Sequence, residues 1–108
     1  MSKDLQSFFK KVGETRLLTK EEEIELSKKI EAGDRSARDR MIKANMRLAI
    51  SIAKKFSDQG LDLEDLIQES SLGLMKAVDR YDWRKGFKFS TYASWWIKQA
   101  VRQAVASH

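Results

Sequence analysis

Phe87-Lys88-Phe89-Ser90-Thr91-Tyr92-Ala93-Ser94-Trp95-Trp96 and its continuation to Ala104 carry two patterns at once. At about 100° per residue, Ala93, Ile97, Ala100, Val101 and Ala104 gather on one side of a helix, enough for a core stripe. Tyr92 and Trp95 fall off that stripe, and Trp96 sits at its margin. They share their side with Thr91, Lys98, Gln99, Arg102 and Gln103. Phe89 reads as a core residue, whereas Phe87, in the loop after Gly86, fits either role. Aromatic faces among cations suit unstacked nucleic-acid bases, because rings stack and cations neutralise phosphates. Rings at helical spacing otherwise serve a core, and for Trp96 that alternative stays open.

The rest of the chain frames this stretch. The span from Tyr81 to Trp96 holds seven of the ten aromatic residues. The net charge is +5, and all of it lies after residue 79: residues 1–79 hold 15 acids and 15 bases, whereas residues 80–108 hold six bases and one acid. Ser57 to Met75, by contrast, contains Asp58, Asp62, Glu64, Asp65 and Glu69 without a Lys or Arg. An acidic segment followed by a basic aromatic one suggests two partners of opposite charge, or else two ordinary solvated helix faces. There is no Cys, which excludes disulfides and thiolate metal sites. No apolar run approaches membrane-spanning length, and no signal-peptide pattern opens the chain.

The absence of Pro and the abundance of Lys, Glu, Leu, Ile and Ala predict an all-α fold. We expect a compact bundle of about five helices in a single domain. The first runs from Lys3 to Val12. The second follows Thr19, where Thr19-Lys20-Glu21-Glu22 has the capping-box form, and ends before Gly33 as a left-handed cap requires. A long third helix is predicted from Asp34 to Ser57. Asp62 is expected to cap a fourth, with Leu63, Leu66, Ile67, Leu74, Ala77, Val78 and Tyr81 as its buried stripe. Gly73 within it costs about 1 kcal/mol of helix propensity, which points to close approach of a neighbouring helix. Ser90 is the expected cap of the fifth.

Four stretches together resemble the bacterial primary (sigma-70-type) RNA polymerase sigma factors. They are LLTKEEEIELSKKIEAGD (17–34), IKANMRLAISIAKKF (42–56), LDLEDLIQESSLGLMKAVDRYD (61–82) and KGFKFSTYASWWIKQAV (85–101). They cover most of the chain in the family's order and spacing. The resemblance implies an N-terminal helical segment over 1–33, similar to sigma region 1.2, and a region 2 helical domain over 34–108. The family's later domains have no counterpart before His108, so the resemblance implies a fragment of a longer factor.

It also implies a function: a transcription initiation factor that binds core RNA polymerase and recognises and melts the promoter -10 element by capturing flipped bases of the non-template single strand. Carried over by position, Asp65, Gln68, Glu69, Ser71 and Met75 would contact the clamp helices of the polymerase largest subunit. Tyr92 would stack on the flipped second base, an adenine, with Asp82, Lys85 and Phe87 building its pocket and Trp95 and Trp96 holding the fork junction. Lys88, like Lys85, is placed to reach phosphates. Asn45 and Leu48 match residues of a second pocket, for the thymine ending the element, with Phe9 and Lys10 as neighbours. A polar interhelix bond for Asn45 and a core contact for Leu48 are the alternatives. Gln99 matches a reader of the base pair upstream, and Thr91 lies on the same side.

Arg102, one turn beyond Gln99, stands where the family usually has a small polar residue, and it favours a phosphate or a guanine edge. Trp83 replaces the usual Tyr or Phe, and Ser70-Ser71 the usual Gly-Asn. The expected location is the bacterial cytoplasm, at the nucleoid, with no cofactor, metal or membrane partner. Two alternatives remain: an interaction module held by an anti-sigma or adaptor protein, and a sequence-blind single-strand binder. An enzyme is disfavoured, because His108 is the only His and no phosphate-cradling glycine loop occurs.

Overall fold

Local capping explains the ends of the first helices. The computed structural model describes residues 3–108, and among them six α-helices form: α1 (Lys3–Glu14), α2 (Lys20–Glu31), α3 (Arg35–Ala44), α4 (Met46–Lys54), α5 (Leu63–Arg80) and α6 (Phe89–Ser107). A 3-10 turn, Trp83–Lys85, connects the last two. The all-α expectation holds, with one helix more than foreseen.

The capping box ahead of α2 is present in full. The Glu22 amide donates to Thr19 Oγ1 at 3.1 Å, and the Thr19 amide donates to Glu22 Oε1 at 3.0 Å. Gly33 ends α2 at φ 92°, the left-handed region that an L side chain avoids. Asp34 then caps α3 by accepting from the Ser36 and Ala37 amides.

The long third helix expected from Asp34 to Ser57 is instead two, broken at Asn45. The Asn45 side-chain amide donates to the Met41 carbonyl at 2.9 Å, taking the acceptor that a continuous helix would give to its own backbone N–H. That N–H turns to Ile42 O at 3.1 Å, a tightened turn, and the helix restarts at Met46. Two caps also differ from expectation. Asp62 occupies the cap position of α5 without a side-chain hydrogen bond. Ser90 is already inside α6, whose cap position falls to Lys88 and likewise carries no side-chain bond.

The core is built from α3 to α6, with Leu26 of α2 closing it on one side. Phe89, Leu66, Leu74, Ile97 and Val101 are fully buried, with Met41, Ile52 and Ala53 beside them. The most extensive contact is between α5 and α6, with α4 against both. It is possible because Gly73 lacks a side chain. A Cβ there would lie 2.8 Å from the Trp96 carbonyl oxygen, 2.9 Å from Ile97 Cα and 3.0 Å from Ala100 Cβ. The close approach anticipated at Gly73 is therefore with the backbone of α6. α1 buries no residue completely; Phe8, Phe9 and Val12 rest on the core, and Arg47 donates to the carbonyls of Gly13 and Thr15 at 2.6 and 3.0 Å.

Two stability effects follow. Gly73→Ala should destabilise the fold by roughly 1–3 kcal/mol through overpacking, despite the helix propensity that Ala adds, because the obstructing atoms belong largely to backbone. A lower urea midpoint with an unchanged slope checks it. The second effect is an acid sensitivity. Arg16 donates to both Glu22 oxygens, at 2.8 and 2.6 Å, and holds that carboxyl well below its ordinary 4.5, at about 2. A group depressed on folding stabilises fully above its unfolded value and loses that contribution as pH falls toward its folded one. Melting temperatures should therefore drop between about pH 4.5 and pH 2, and Glu22→Gln should flatten part of that drop.

Candidate nucleic-acid interface

Phe89 disappears into the core, and the other rings of its neighbourhood assemble over it. Tyr81 meets Phe89 edge-on at 5.1 Å between ring centroids. Tyr92 lies 5.8 Å from Tyr81 and 6.2 Å from Trp96, and is nearly parallel (10°) to Phe87 at 6.3 Å. Trp95 stands perpendicular to Trp96 at 5.1 Å. Two hydroxyls pin the arrangement: Tyr81 donates to Phe87 O at 2.6 Å and Tyr92 to Arg80 O at 3.3 Å.

The helical wheel is thus partly corrected. Trp95 is 58% exposed and Phe87 46%, but Tyr92 is half-buried, held by three neighbouring rings instead of facing out alone. Trp96 is half-buried too, with the Arg80 guanidinium 5.4 Å above its ring. Thr91, Gln99 and Arg102 are exposed along the outer side of α6, and Lys85 and Lys88 are exposed in the loop before it.

That loop is fastened to α2. Arg84 makes two parallel hydrogen bonds to the Glu31 carboxylate, at 2.7 and 2.8 Å, and a third to Asp82 at 3.2 Å. One turn back on α2, Lys28 lies 5.0 Å from the centre of the Trp83 ring, and Arg84 itself lies 4.7 Å from it. Asp82 also accepts from the Arg84 amide at 3.1 Å, and Gly86 closes the turn at φ 86°. Arg84 pulls the Glu31 carboxyl below its usual range, and the Arg84 amide and guanidinium do the same for Asp82. Asp82 is therefore committed to shaping the turn. The spacing of α2 gave no warning of this tie, because it joins residues 53 positions apart.

Beside the start of α6 lies a cleft of about 360 Å³, lined by Leu17, Leu18, Glu23, Asn45, Lys88 and Ser90 among others. The first turn of α6, whose cap position bears no side-chain hydrogen bond, opens beside it. Partial burial raises the Glu23 carboxyl above its ordinary value. Asn45 and Lys88 meet here as neighbours. Leu48 does not line the cleft: it is half-buried against the core. Phe9 lines a different depression with Val12, Arg47 and Lys54, and Lys10 a third on α1. Glu23 lies in the first turn of α2 and Ser90 in that of α6, so neither helix pattern alone brings them to one cleft.

On α5, Asp65 and Gln68 are exposed, while Glu69, Ser71 and Met75 are half-buried. Ser71 donates to the Ile67 carbonyl at 2.8 Å. Among these residues stands Leu72, 52% exposed, at the edge of a groove that runs between Glu69, Met75 and Lys76 on α5 and Gln103 and Ala104 on α6. The helical period would have revealed it: Leu72 falls on the side of Asp65 and Glu69, opposite the Leu66/Leu74 stripe. Among the described residues no cluster of His, Asp or Glu could hold a metal ion, and no helix is long and apolar enough to cross a membrane.

Comparison with known proteins places these features in a family. Residues 41–108 match the model for sigma-70 region 2, and residues 5–36 match that for sigma-70 factor region 1.2. The chain is 52% identical over 102 residues to the RNA polymerase sigma factor SigA of Clostridium acetobutylicum. It is 53% identical over 102 residues to the SigA proteins of Listeria monocytogenes and Listeria innocua. In each case the alignment takes in 94% of this chain and 27% of the relative. The chain thus spans about a quarter of the length of those relatives, and over that length it belongs to the sigma-70 family of transcription initiation factors, with region 1.2 followed directly by region 2.

Proposed function

We propose that this chain binds core RNA polymerase through the outer face of α5 and captures flipped bases of the non-template strand of the promoter -10 element with the aromatic cluster and the cleft beside the start of α6. The observation that carries this reading is that Trp95 on α6 and Phe87, Lys85 and Lys88 in the loop before it are all exposed, with Phe87 parallel to a Tyr92 ring already fixed in orientation. A ring immobilised before binding loses little entropy when a base stacks on it. Residues 1–33 would act as the region 1.2 segment and 34–108 as the DNA- and polymerase-binding domain. The reading is of a binding protein acting in the bacterial cytoplasm, not of an enzyme.

The cleft supports a second base position. A thymine edge offers two carbonyl acceptors flanking one N–H donor. Asn45, Lys88 and Ser90 supply donors, and Glu23 supplies the acceptor. On α5, a polar-acidic face with one flexible Met and an exposed Leu suits a basic helical partner with apolar teeth.

Energetics limit what the chain does alone. Extruding a base costs a few kcal/mol, and stacking one returns about 1–3 kcal/mol. One stack offsets one flipped base, not a bubble. The isolated chain should therefore bind a single-stranded non-template oligonucleotide weakly and leave duplex closed, which fluorescence anisotropy and a strand-opening assay can measure. Replacing the second-position adenine, or offering the complementary strand, should weaken binding; equal affinity for all three would leave only sequence-blind binding. Trp95→Ala should weaken binding by about 1–3 kcal/mol with an unchanged melting temperature, since the ring is 58% exposed. Lys88→Ala should weaken binding to every sequence and reduce the salt slope by about 0.7.

For the other face, Asp65→Ala, Glu69→Ala and Leu72→Ala should each reduce capture by a peptide carrying the polymerase clamp helices. Undiminished capture by all three would remove α5 from that role.

A further inference from the structure

The loop that carries Asp82, Lys85, Phe87 and Lys88 has few apolar anchors of its own. Trp83 is half-buried, and Lys85, Phe87 and Lys88 are exposed. Its far end is held by the Tyr81 hydroxyl on Phe87 O and by the Phe87 ring against Tyr92; what holds its first half is polar and comes from α2. Glu31 takes both parallel bonds of Arg84, and Lys28, one turn earlier, sits over Trp83. Within the loop, Asp82 receives the Arg84 backbone amide and guanidinium, so the three residues form one connected unit. Glu31 lies in the part of the chain matched by region 1.2, and Arg84 in the part matched by region 2.

We propose that Glu31 is a positioning residue for the DNA-reading loop: through Arg84 it holds residues 82–88 at the height and angle that set Lys85, Phe87 and Lys88 around Tyr92. This rests on the base-capture reading above. Glu31 itself touches no nucleic acid in it. An exposed ion pair contributes little to global stability, and this pair is exposed on both sides. Its worth lies in selecting one loop geometry out of several. The bidentate fork suits that role because it fixes direction as well as distance.

The sign of the effect separates positioning from simple electrostatics. Glu31→Gln removes a negative charge near the proposed path of a polyanion. Electrostatics alone would make DNA binding tighter. Loss of the loop geometry makes it weaker.

The test uses the full chain with Glu31→Gln, Arg84→Gln and the double variant, read in two ways. The first readout needs no DNA. Amide hydrogen exchange of residues 82–88 should quicken in Glu31→Gln, while α5 and α6 and the melting temperature stay as in the parent chain. The second is affinity for the non-template oligonucleotide, which should fall about three- to tenfold in Glu31→Gln, the span of a modest coupling energy. The double variant should be no worse than Arg84→Gln, because Arg84→Gln already breaks the bond that Glu31→Gln breaks.

Unchanged exchange in the loop overturns the proposal whatever the DNA data show. Quickened exchange with equal or tighter oligonucleotide binding also overturns it. If the parent chain itself fails to distinguish the non-template strand from its complement, the base-capture reading falls and the DNA role of Glu31 falls with it, even though the exchange result would still show the tie.

Discussion

The separation of α5 and α6 at Gly73 is the constraint on which the rest of this structure depends. With 2.8 Å between a notional Cβ and the Trp96 carbonyl, the two backbones touch. That contact fixes the rotation of α6 about its own axis. Ala93, Ile97 and Val101 must then face inward, and all three are fully buried. Trp95, Gln99 and Arg102 are left on the outside as a geometric consequence. A larger residue at position 73 would not merely open a gap; it would turn or displace the helix that presents the rings.

The same helix pair explains why the aromatic residues divide as they do. Phe89 is the first residue of α6 and fills the space between α5 and the rest of the core, with Tyr81 edge-on above it. Tyr92, one turn later, inherits a floor of rings and a hydroxyl anchor on the Arg80 carbonyl. Trp95 extends beyond that floor. A ring that is 58% exposed in the free chain costs solvation of apolar area, and its edge-on contact with Trp96 covers only part of it. Exposed aromatic area beside cations is useful where a partner covers it.

Much of this was legible in the sequence, and the parts that were not share a cause. The helix boundaries set by Thr19 and Gly33, and the close approach at Gly73 inside α5, are local statements, carried by hydrogen-bond capacity or by a missing side chain. The alternation of core and outer residues along α6 is a property of one helix. By contrast, the break at Asn45 depends on whether a side-chain amide wins the Met41 carbonyl from the backbone, a contest between nearly equal bonds that periodicity does not register. Tyr92 appears outward on a wheel because a wheel contains no neighbours. Its half-buried state comes from Tyr81 and Phe87, which lie outside the helix. The Glu31–Arg84 tie and the cleft that joins Glu23, Asn45 and Lys88 are likewise juxtapositions of distant segments.

The two faces proposed to meet polymerase and promoter lie on helices that cannot move independently. Asp65, Glu69 and Leu72 project from α5, and Trp95 and Gln99 from α6, with Gly73 between them holding the backbones in contact. Docking of α5 on a large partner would then fix the direction in which α6 presents its rings, with no hinge to absorb the constraint. On the base-capture reading proposed above, the energy balance of strand opening favours such rigidity. Stacking repays about 1–3 kcal/mol for each base, comparable to what extrusion takes, so any freedom of the rings relative to the DNA path would consume the margin. A close-packed glycine contact, which costs the helix about 1 kcal/mol of propensity, removes that freedom at the point where the two faces join.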